Sequence, residues 1–348
     1  MDLYTTAQLL GMIEETVNTP HSFALDTFFP KIEEQETEEI MFDKLPLDDR
    51  IAPFVSPNLP GKSNSQRGFK TDVFKPAYIK PLDTVSPSQA LKRQAGEPLT
   101  GSLSPQQRRD IYVNKLLGDQ INAIKRRKEW MAWQVLLTGK VIVEGDDYPS
   151  ATVDFGRDAG HTELLSGAAA WDQGTADVVA FFDARALKVQ DATGFAATTH
   201  IMDPQAWALA RKNAEFKDVL DNRRQSSGDV ELGSYALANG DADSRITSAR
   251  YMGNMGDHDF YVFAGMYTDI DGTRKRFLPA NTCVSADPVG FQGMQVHGAI
   301  EDHESLQATE FFPKMWDEQN PSKRNLMTQS APLTVPGRVN CANVATVI

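Results

Sequence analysis

The pattern of apolar and polar positions predicts one very long helix in the second quarter of the chain. Its apolar residues recur at intervals of three, four or seven, which places them on one side of a helix: Val113, Leu117, Ile121, Ile124, Met131 and Val135. Lys128 interrupts this stripe, and the polar run from Lys125 to Glu129 crosses it. Because a coiled coil needs a continuous apolar seam, we expect the helix to pack along a sheet or a neighbouring subunit instead.

Both ends of this helix are marked by the sequence. Ser104 is a suitable N-cap, Pro105 fits the first helical position, and Gln107 occupies the third position of a capping box. Gly139 supplies the stop. The predicted helix over 105–138 is roughly 51 Å long at ~1.5 Å per residue, about the diameter of a whole domain. Such a helix needs packing partners that one globular domain does not provide.

The segment before the helix is rich in proline. Nine prolines fall between Pro46 and Pro105, and each one removes a backbone donor and disfavours helix at the preceding residue. Several apolar residues are nevertheless present: Phe69, Val73, Phe74, Tyr78 and Ile79. A disordered linker would be poorer in such residues. We therefore predict a long β-hairpin over 46–100 that packs on another surface.

The rest of the chain mixes short helices and strands, so the predicted fold class is α+β. A short capped helix is expected at 5–10, a helix from about 176 to 188, and a helix after Asp203-Pro204 that runs through Lys217. Strands are expected at 141–143, 151–155, 260–263 and 276–278, and in the region 333–348. Asp271-Gly272 marks a hairpin turn between the strands at 260–263 and 276–278.

The charge along the chain is uneven. Its formal net charge of −12 argues against a sequence-independent nucleic-acid binder, since such proteins normally have a basic surface. Residues 1–60 hold 3 basic and 12 acidic side chains, residues 61–140 hold 15 and 6, and residues 141–348 hold 17 and 29. An acidic arm followed by a basic loop and helix favours pairing, within a subunit or between neighbours. Two solvated faces are the open alternative.

Membrane, secretory and disulfide signals are weak. No run approaches the ~18 consecutive apolar residues of a membrane-spanning helix, and the N-terminus lacks a basic segment followed by an apolar one. We therefore expect neither a membrane partner nor a secretory signal. Cys283 and Cys341 are far apart in sequence, and we expect both to be buried small hydrophobes.

Motifs of enzymes fail at their defining positions. Gly61-Lys62-Ser63 resembles the end of a phosphate-binding loop, but Ser56 stands where the first glycine should be. His303-Glu304 begins like a zinc-protease helix, but Gln307 replaces the second histidine. The pattern at 269–272 resembles part of a calcium loop and is better explained as a hairpin turn. We therefore predict no catalytic, cofactor or metal site, and no enzyme.

Short motifs along nearly the whole chain resemble one family, the lambda-type major capsid proteins of tailed phages (phage major capsid protein E), which have the Johnson fold. None is specific alone, but their order and spacing are: Tyr4 to Leu10, Phe28-Phe29, Val55-Ser56-Pro57, Arg67-Gly68, Pro76-x-Tyr78-x-Lys80-Pro81, Gly139-Lys140, Val153-Asp154-x-Gly156-Arg157, Asp203-Pro204-x-x-Trp207-Ala208-Leu209, Asp221-x-Arg223-Arg224, Phe277-Leu278-Pro279-x-Asn281-Thr282, Pro313-Lys314-x-Trp316 and Gln329 to Leu333.

This resemblance implies a fold with five parts. They are an N-terminal arm (1–45), an extended β-hairpin loop (46–100), a spine helix with a peripheral domain (101–175), an axial domain (176–312) and a C-terminal return to the peripheral domain (313–348). Family members assemble as hexamers and pentamers into an icosahedral shell around double-stranded DNA, with scaffold, portal and decoration proteins as partners. The implied location is the virion capsid, and the host cytoplasm during assembly. An encapsulin-like nanocompartment shell with the same fold is the alternative.

In such a shell the binding surfaces lie between subunits. Seven basic residues are our candidates for inter-subunit contact: Lys70, Lys75, Lys80, Lys125, Arg126, Arg127 and Lys128. We expect the run from Lys125 to Lys128 to face a neighbouring subunit or the shell interior. Trp130 and Trp133 lie nearby, so nucleic-acid contact by this run is an open alternative, and contact with packaged DNA is expected to be weak and non-specific.

Overall fold

The computed structural model describes residues 22–44, 70–92, 103–145, 148–220, 249–303, 307–320 and 322–348, except Glu38 and Gly174, and five isolated positions before residue 58. Of the predicted helix at 5–10, Thr6, Gln8 and Leu9 are described, and all three are helical as expected. Most of the predicted hairpin loop lies outside the described residues. Within the described residues, no helix combines the length and the apolar character that crossing a membrane requires.

Apart from those isolated positions, the described residues form seven α-helices and eighteen strands. The helices are α1 (Phe23–Phe28), α2 (Pro87–Leu91), α3 (Pro105–Thr138), α4 (Val178–Thr193), α5 (Pro204–Ala210), α6 (Ala214–Val219) and α7 (Pro288–Phe291). The strands are β1 (Lys31–Gln35), β2 (Ile40–Lys44), β3 (Lys70–Phe74), β4 (Leu82–Val85), β5 (Lys140–Gly145), β6 (Tyr148–Asp154), β7 (Thr162–Leu164), β8 (Thr199–Met202), β9 (Ala249–Met255), β10 (His258–Phe263), β11 (Met266–Thr268), β12 (Arg274–Arg276), β13 (Thr282–Ala286), β14 (Met294–Gly298), β15 (Phe312–Gln319), β16 (Ser322–Gln329), β17 (Pro332–Val335) and β18 (Ala342–Thr346).

Helix α3 confirms the longest prediction from the sequence. The Ser104 hydroxyl accepts from the Gln107 backbone N–H at 3.2 Å, and the Gln107 side chain accepts from the Ser104 N–H at 2.9 Å. At the other end Gly139 has a φ of 69°, and its N–H donates to the Val135 carbonyl. All six residues of the predicted apolar stripe are buried. Capping and periodicity were sufficient to place this helix because both are local properties.

The first half of α3 packs on the three-stranded sheet β15–β16–β4. Val113, Leu117 and Ile121 form one apolar cluster with residues of that sheet, among them Met315 and Leu326. The second half enters the main core, where it packs with α1, with strands of the six-stranded sheet and with β14 and β17. The expectation that α3 packs along a sheet is therefore confirmed.

The six-stranded sheet, of order β7–β18–β13–β8–β10–β9, is buried on both faces. Side chains alternate along its strands, so that Ile201 and Tyr261 enter the main core while Met202 and Phe260 enter a second core with α4, α5 and α6. This alternation follows from the two-residue period of a strand. The strand prediction at 260–263 is confirmed, but β10 pairs with β8 and β9, not with 276–278. The turn at Asp271-Gly272 instead joins β11 to β12.

One other prediction needs correction. The helix predicted from Asp203-Pro204 through Lys217 is two helices, because Asn213 begins a new one by accepting from the Phe216 N–H. The strands predicted in the region 333–348 are confirmed: β17 pairs with β14, and β18 lies inside the six-stranded sheet. The helix predicted at 176–188 is confirmed as α4 with shifted ends.

The strands around the proline-rich segment have separate partners. β2 and β3 form an antiparallel two-stranded ribbon in which Ile40 pairs with Phe74 and Lys44 with Lys70. The chain then leaves this ribbon, because Ile79 bridges to Ser330 and β4 joins β16. The residues after β3 are thus extended, as predicted, but they belong to the sheet beneath α3.

Candidate assembly surface and its buried anchors

The seven basic candidates lie on two adjoining segments. Lys70 begins β3, and its side chain is outside the described ones. Lys75 is half exposed, with its ammonium 3.8 Å from the Glu301 carboxylate. Lys80 is exposed on the segment that crosses toward β4, and the remaining four follow one another on α3. The fold therefore brings the two segments close enough for some of these residues to share one surface.

That surface is a cleft of about 740 Å³. Its walls are the segment 77–81, one side of α3 from Ala123 to Met131, the end of β5 at 142–145, the turn after β11 at 267–270, and Pro332. We call it the basic cleft, because Lys80, Arg126 and Arg127 all line it.

Two of the three cations in the basic cleft lie over aromatic rings. The Lys80 ammonium lies 4.7 Å from the centre of the Tyr78 ring, and the Arg127 guanidinium lies 5.1 Å from that of Trp130. Arg126 is exposed. Among the residues that the structure describes, Lys80, Arg126 and Arg127 form no ion pair. The basic cleft thus presents positive charge on an aromatic wall, a combination that favours anionic side chains or phosphates.

Lys128 does not contribute to that surface. Its side chain is 2% exposed, and its ammonium donates to the Glu310 carboxylate at 2.7 Å and lies 3.4 Å from Nε2 of His297. The expectation that the whole run from Lys125 to Lys128 faces a neighbour is therefore wrong for Lys128. The helical periodicity places Lys128 on the buried side of α3. Its ammonium there connects α3 to His297 on β14 and to Glu310 before β15.

The electrostatics of this buried group are set by desolvation. Burial lowers the pKa of Lys128, and the opposing pull of Glu310 only partly offsets it. Burial raises the pKa of Glu310, but Lys128 outweighs that effect and holds the pKa below its ordinary value. Burial and the nearby Lys128 lower the pKa of His297 to about 4, so the imidazole is neutral at pH 7. His297 thus adds no second charge beside Lys128.

Sequence reasoning missed the second buried anchor, Glu129. Its two carboxylate oxygens accept from the backbone N–H groups of Ala24 and Leu25 at 2.9 and 3.0 Å, and one also accepts from the Trp133 indole at 2.9 Å. Ser22, the N-cap of α1, makes no side-chain capping bond. Glu129 therefore supplies the cap of α1 from more than a hundred residues away, as a carboxylate at a helix N-terminus can.

The remaining reactive groups are enclosed. Cys283 and Cys341 are unpaired and buried, as predicted, and burial raises the pKa of Cys283 to about 12. In the part of the chain that the structure describes, no group of three or more His, Cys, Asp or Glu residues could hold a metal ion. Of the charged groups of α3, Lys128 and Glu129 anchor distant segments, and Arg126 and Arg127 line an open cleft.

Both the structure and the sequence of this chain are similar to those of known proteins. The structure is similar, with a TM-score of 0.77 and 24% identity over 100% of both chains, to the capsid protein of a prophage in Escherichia coli CFT073. Its fold is that of the tailed-phage capsid proteins. The sequence is 31% identical over 341 residues to the major capsid protein of Escherichia phage N15, and 30% identical over 341 residues to that of Escherichia phage lambda, with 96% of each chain covered. Residues 5–347 match the family described as phage major capsid protein E, and the chain belongs to that family.

This result confirms the resemblance seen in the sequence. The chain is a structural capsid protein and not an enzyme, and its place is the virion capsid. These relatives do not support the encapsulin-like alternative, because they are major capsid proteins of phages. The five-part division of the chain and the contacts of its basic residues with other subunits stay predictions.

Proposed function

We propose that this chain forms hexamers and pentamers that close into an icosahedral head around double-stranded DNA. The observation that supports this most is the match to the phage major capsid protein E family from residue 5 to residue 347. Assembly takes place in the host cytoplasm, with scaffold, portal and decoration proteins as partners.

The charge of the chain fits weak contact with the enclosed genome. A net charge of −12 disfavours tight, sequence-independent binding to phosphates. A shell of this kind lets DNA enter and leave, while the stable contacts are those between subunits. The interfaces that hold such a shell must therefore be large in area, since exposed ion pairs alone contribute little.

Electron microscopy of the expressed chain tests this function. We expect closed shells with six-fold and five-fold capsomers, and a mass measurement on them should give the mass of the intact subunit or of a trimmed one. A preparation that contains only small discrete particles would contradict the proposal. Shells that enclose an enzyme instead of DNA would favour the nanocompartment alternative.

The basic region 61–140 meets acidic surface on adjoining subunits in this proposal. Charge reversal of Lys70, Lys75 and Lys80 to glutamate together should impair shell assembly, because three attractive contacts become repulsive ones. The measurement is the fraction of subunits in shells after sedimentation. Normal assembly of the triple variant would contradict this hypothesis.

A matched control separates the position of these charges from their number. Lys212 lies in the turn between α5 and α6, Lys217 lies on α6 and Arg250 lies on β9; all three are exposed, they lie outside 61–140, and the described residues give them no ion pair. Their reversal changes the net charge equally. We expect this control triple variant to assemble as the unmodified chain does.

A further inference from the structure

We infer that the basic cleft binds the acidic segment 33–39 of a second copy of this chain. This inference rests on the proposed assembly into a shell. It extends that proposal, because it identifies the two surfaces that meet in one contact between subunits. In the single subunit the cleft is open and the described glutamates of the segment are exposed, and the two carry opposite charge.

The basic cleft is an unoccupied recess with apolar residues at its rim. Ile142 on β5 is 43% exposed and Ile270 in the β11–β12 turn is 66% exposed, although both border the cleft. Trp130 and Tyr267 line it between them. Large aliphatic side chains at the rim of an open recess are typical of a surface that another protein covers.

The charge inside the cleft is mainly positive. Two carboxylates also line it, but Asp269 pairs with Lys275, which leaves Glu144 as the only carboxylate there without a described partner. Against it stand the three cations of the cleft. Arg126 is exposed and bonded to nothing in the described residues, so its planar guanidinium is available to a carboxylate.

The segment 33–39 has the matching properties. Five of its seven residues are glutamates, and Glu33, Glu34, Glu36 and Glu39 are exposed and form no ion pair within the described part of the chain. One exposed apolar residue precedes the segment, since Ile32 is 55% exposed. An acidic strand bordered by an exposed isoleucine therefore fits a cleft that has cations in the middle and aliphatic residues at the rim.

The segment reaches the cleft of another copy and not its own. β1 is the edge strand of the sheet β1–β14–β17, and its five residues are held in parallel register with Met294–Gly298. In this position none of the described carboxylates of the segment forms an ion pair with Lys80, Arg126 or Arg127 of the same chain. The outer edge of β1 has no partner strand among the described residues, and its exposed side chains stand on the two faces of the sheet, so a second subunit can contact them without unpairing the strand.

A disulfide between subunits tests the contact directly. We expect the variant Glu34→Cys with Arg126→Cys to form covalent dimers and larger oligomers under mild oxidation of capsomers or shells, as seen on denaturing gels without reductant. The native thiols give little background, because Cys283 and Cys341 are buried. Each single variant, and the control pair Glu34→Cys with Lys115→Cys, should stay monomeric on the gel.

The outcomes separate this inference from the proposed function. Shells that form normally while the test pair yields no more oligomer than the control pair would overturn the docking and leave the shell function intact. A disulfide confined to single chains would also overturn it, since the segment would then occupy its own cleft. A chain that never associates would overturn both.

Charge exchange gives a second, independent test. The double variant Arg126→Glu, Arg127→Glu should lower the fraction of assembled subunits about tenfold, because carboxylates would then face carboxylates. Adding Glu33→Lys and Glu34→Lys should restore most of it. Rescue supports the pairing, whereas an unrescued loss shows that another partner, such as a nucleic acid, uses the cleft, and that result would overturn the inference.

Discussion

The two halves of helix α3 are one continuous element, but they are stabilised in different ways. The first half lays an apolar stripe on the sheet β15–β16–β4, and its only buried polar side chain is the neutral Gln120. The second half enters the main core and buries two opposite charges, Lys128 and Glu129, at adjacent positions. These two charges do not pair with each other, and each one binds a different distant segment of the chain.

This difference determines how much stability each half of the helix loses when a partner of its buried polar groups is removed. A neutral amide that loses a partner costs about 1–3 kcal/mol, whereas a buried charge that loses its partner costs about 3–5 kcal/mol. The second half of α3 is thus sensitive to changes far from it in sequence, at residues 24–25, 297 and 310. The first half also packs on distant residues, but the one polar side chain that it buries is neutral, so the loss of one of its partners costs less.

The largest expected effect comes from removing Lys128. The variant Lys128→Ala leaves Glu310 with a carboxylate that is only 29% exposed and has lost its cation. We expect the free energy of unfolding to fall by about 3 kcal/mol, near the lower end for a broken buried pair because Glu310 still reaches water. Chemical denaturation of the unassembled subunit measures it.

Two controls bracket that result. Lys115→Ala removes an exposed lysine from the first half of the same helix and should change the free energy of unfolding by less than about 0.5 kcal/mol. Lys128→Met combined with Glu310→Gln removes both charges and should recover much of the loss. A loss at Lys128 no larger than at Lys115 would contradict the contrast between the two halves.

The next effect is a dependence on pH that arises at Glu129. Burial raises its pKa to about 7 in the folded chain from 4.5, against the three hydrogen bonds that favour the carboxylate. Between these two values the folded state holds more protons than the unfolded state, so the free energy of unfolding falls as pH rises from about 4.5 to 7. We expect Glu129 to contribute a loss of about 2 kcal/mol between pH 5 and pH 8.

A comparison with Glu129→Gln isolates this contribution. The glutamine side chain keeps one acceptor oxygen for α1 but does not titrate. His297 acts in the opposite direction, since burial lowers its pKa to about 4, and its effect is the same in both proteins. The pH dependence of the unmodified chain minus that of the variant should therefore be negative. Parallel profiles would show that Glu129 does not ionise in this range.

Local signals explain how much of the fold the sequence could predict. The capping box at Ser104 and the stop at Gly139 needed only neighbouring residues, and both ends of α3 were placed correctly. The strand at 260–263 was also found, but its partners were not, because β8 lies about sixty residues away in sequence. Asn213 ended the predicted helix after Pro204 because its side chain caps the next one, a competing local choice that spacing alone does not reveal.

The candidate surface was harder to predict for the same reason. Arg126 and Lys128 look alike in the sequence as parts of one basic run, yet one lines an open cleft and the other is buried beside Glu310. Their environments differ because residues two positions apart in a helix point in directions about 200° apart around the helix axis. The Glu310 carboxylate that accepts from Lys128 and the Ala24 N–H that donates to Glu129 lie 182 and 105 residues away, so no short pattern identified them.

The smallest expected effect lies in the first half of α3, at Gln120. Its amide nitrogen donates to the Leu326 carbonyl and to the Asp83 carboxylate at 2.9 and 2.8 Å, and its oxygen accepts from the Thr328 hydroxyl at 2.7 Å. Gln120→Ala should lower the free energy of unfolding by about 1–2 kcal/mol, because it leaves buried polar groups unsatisfied without leaving a buried charge. Asp119→Ala, an exposed neighbour, is the control. If Gln120→Ala proved as costly as Lys128→Ala, then burial alone, and not charge, would account for the difference between the two halves.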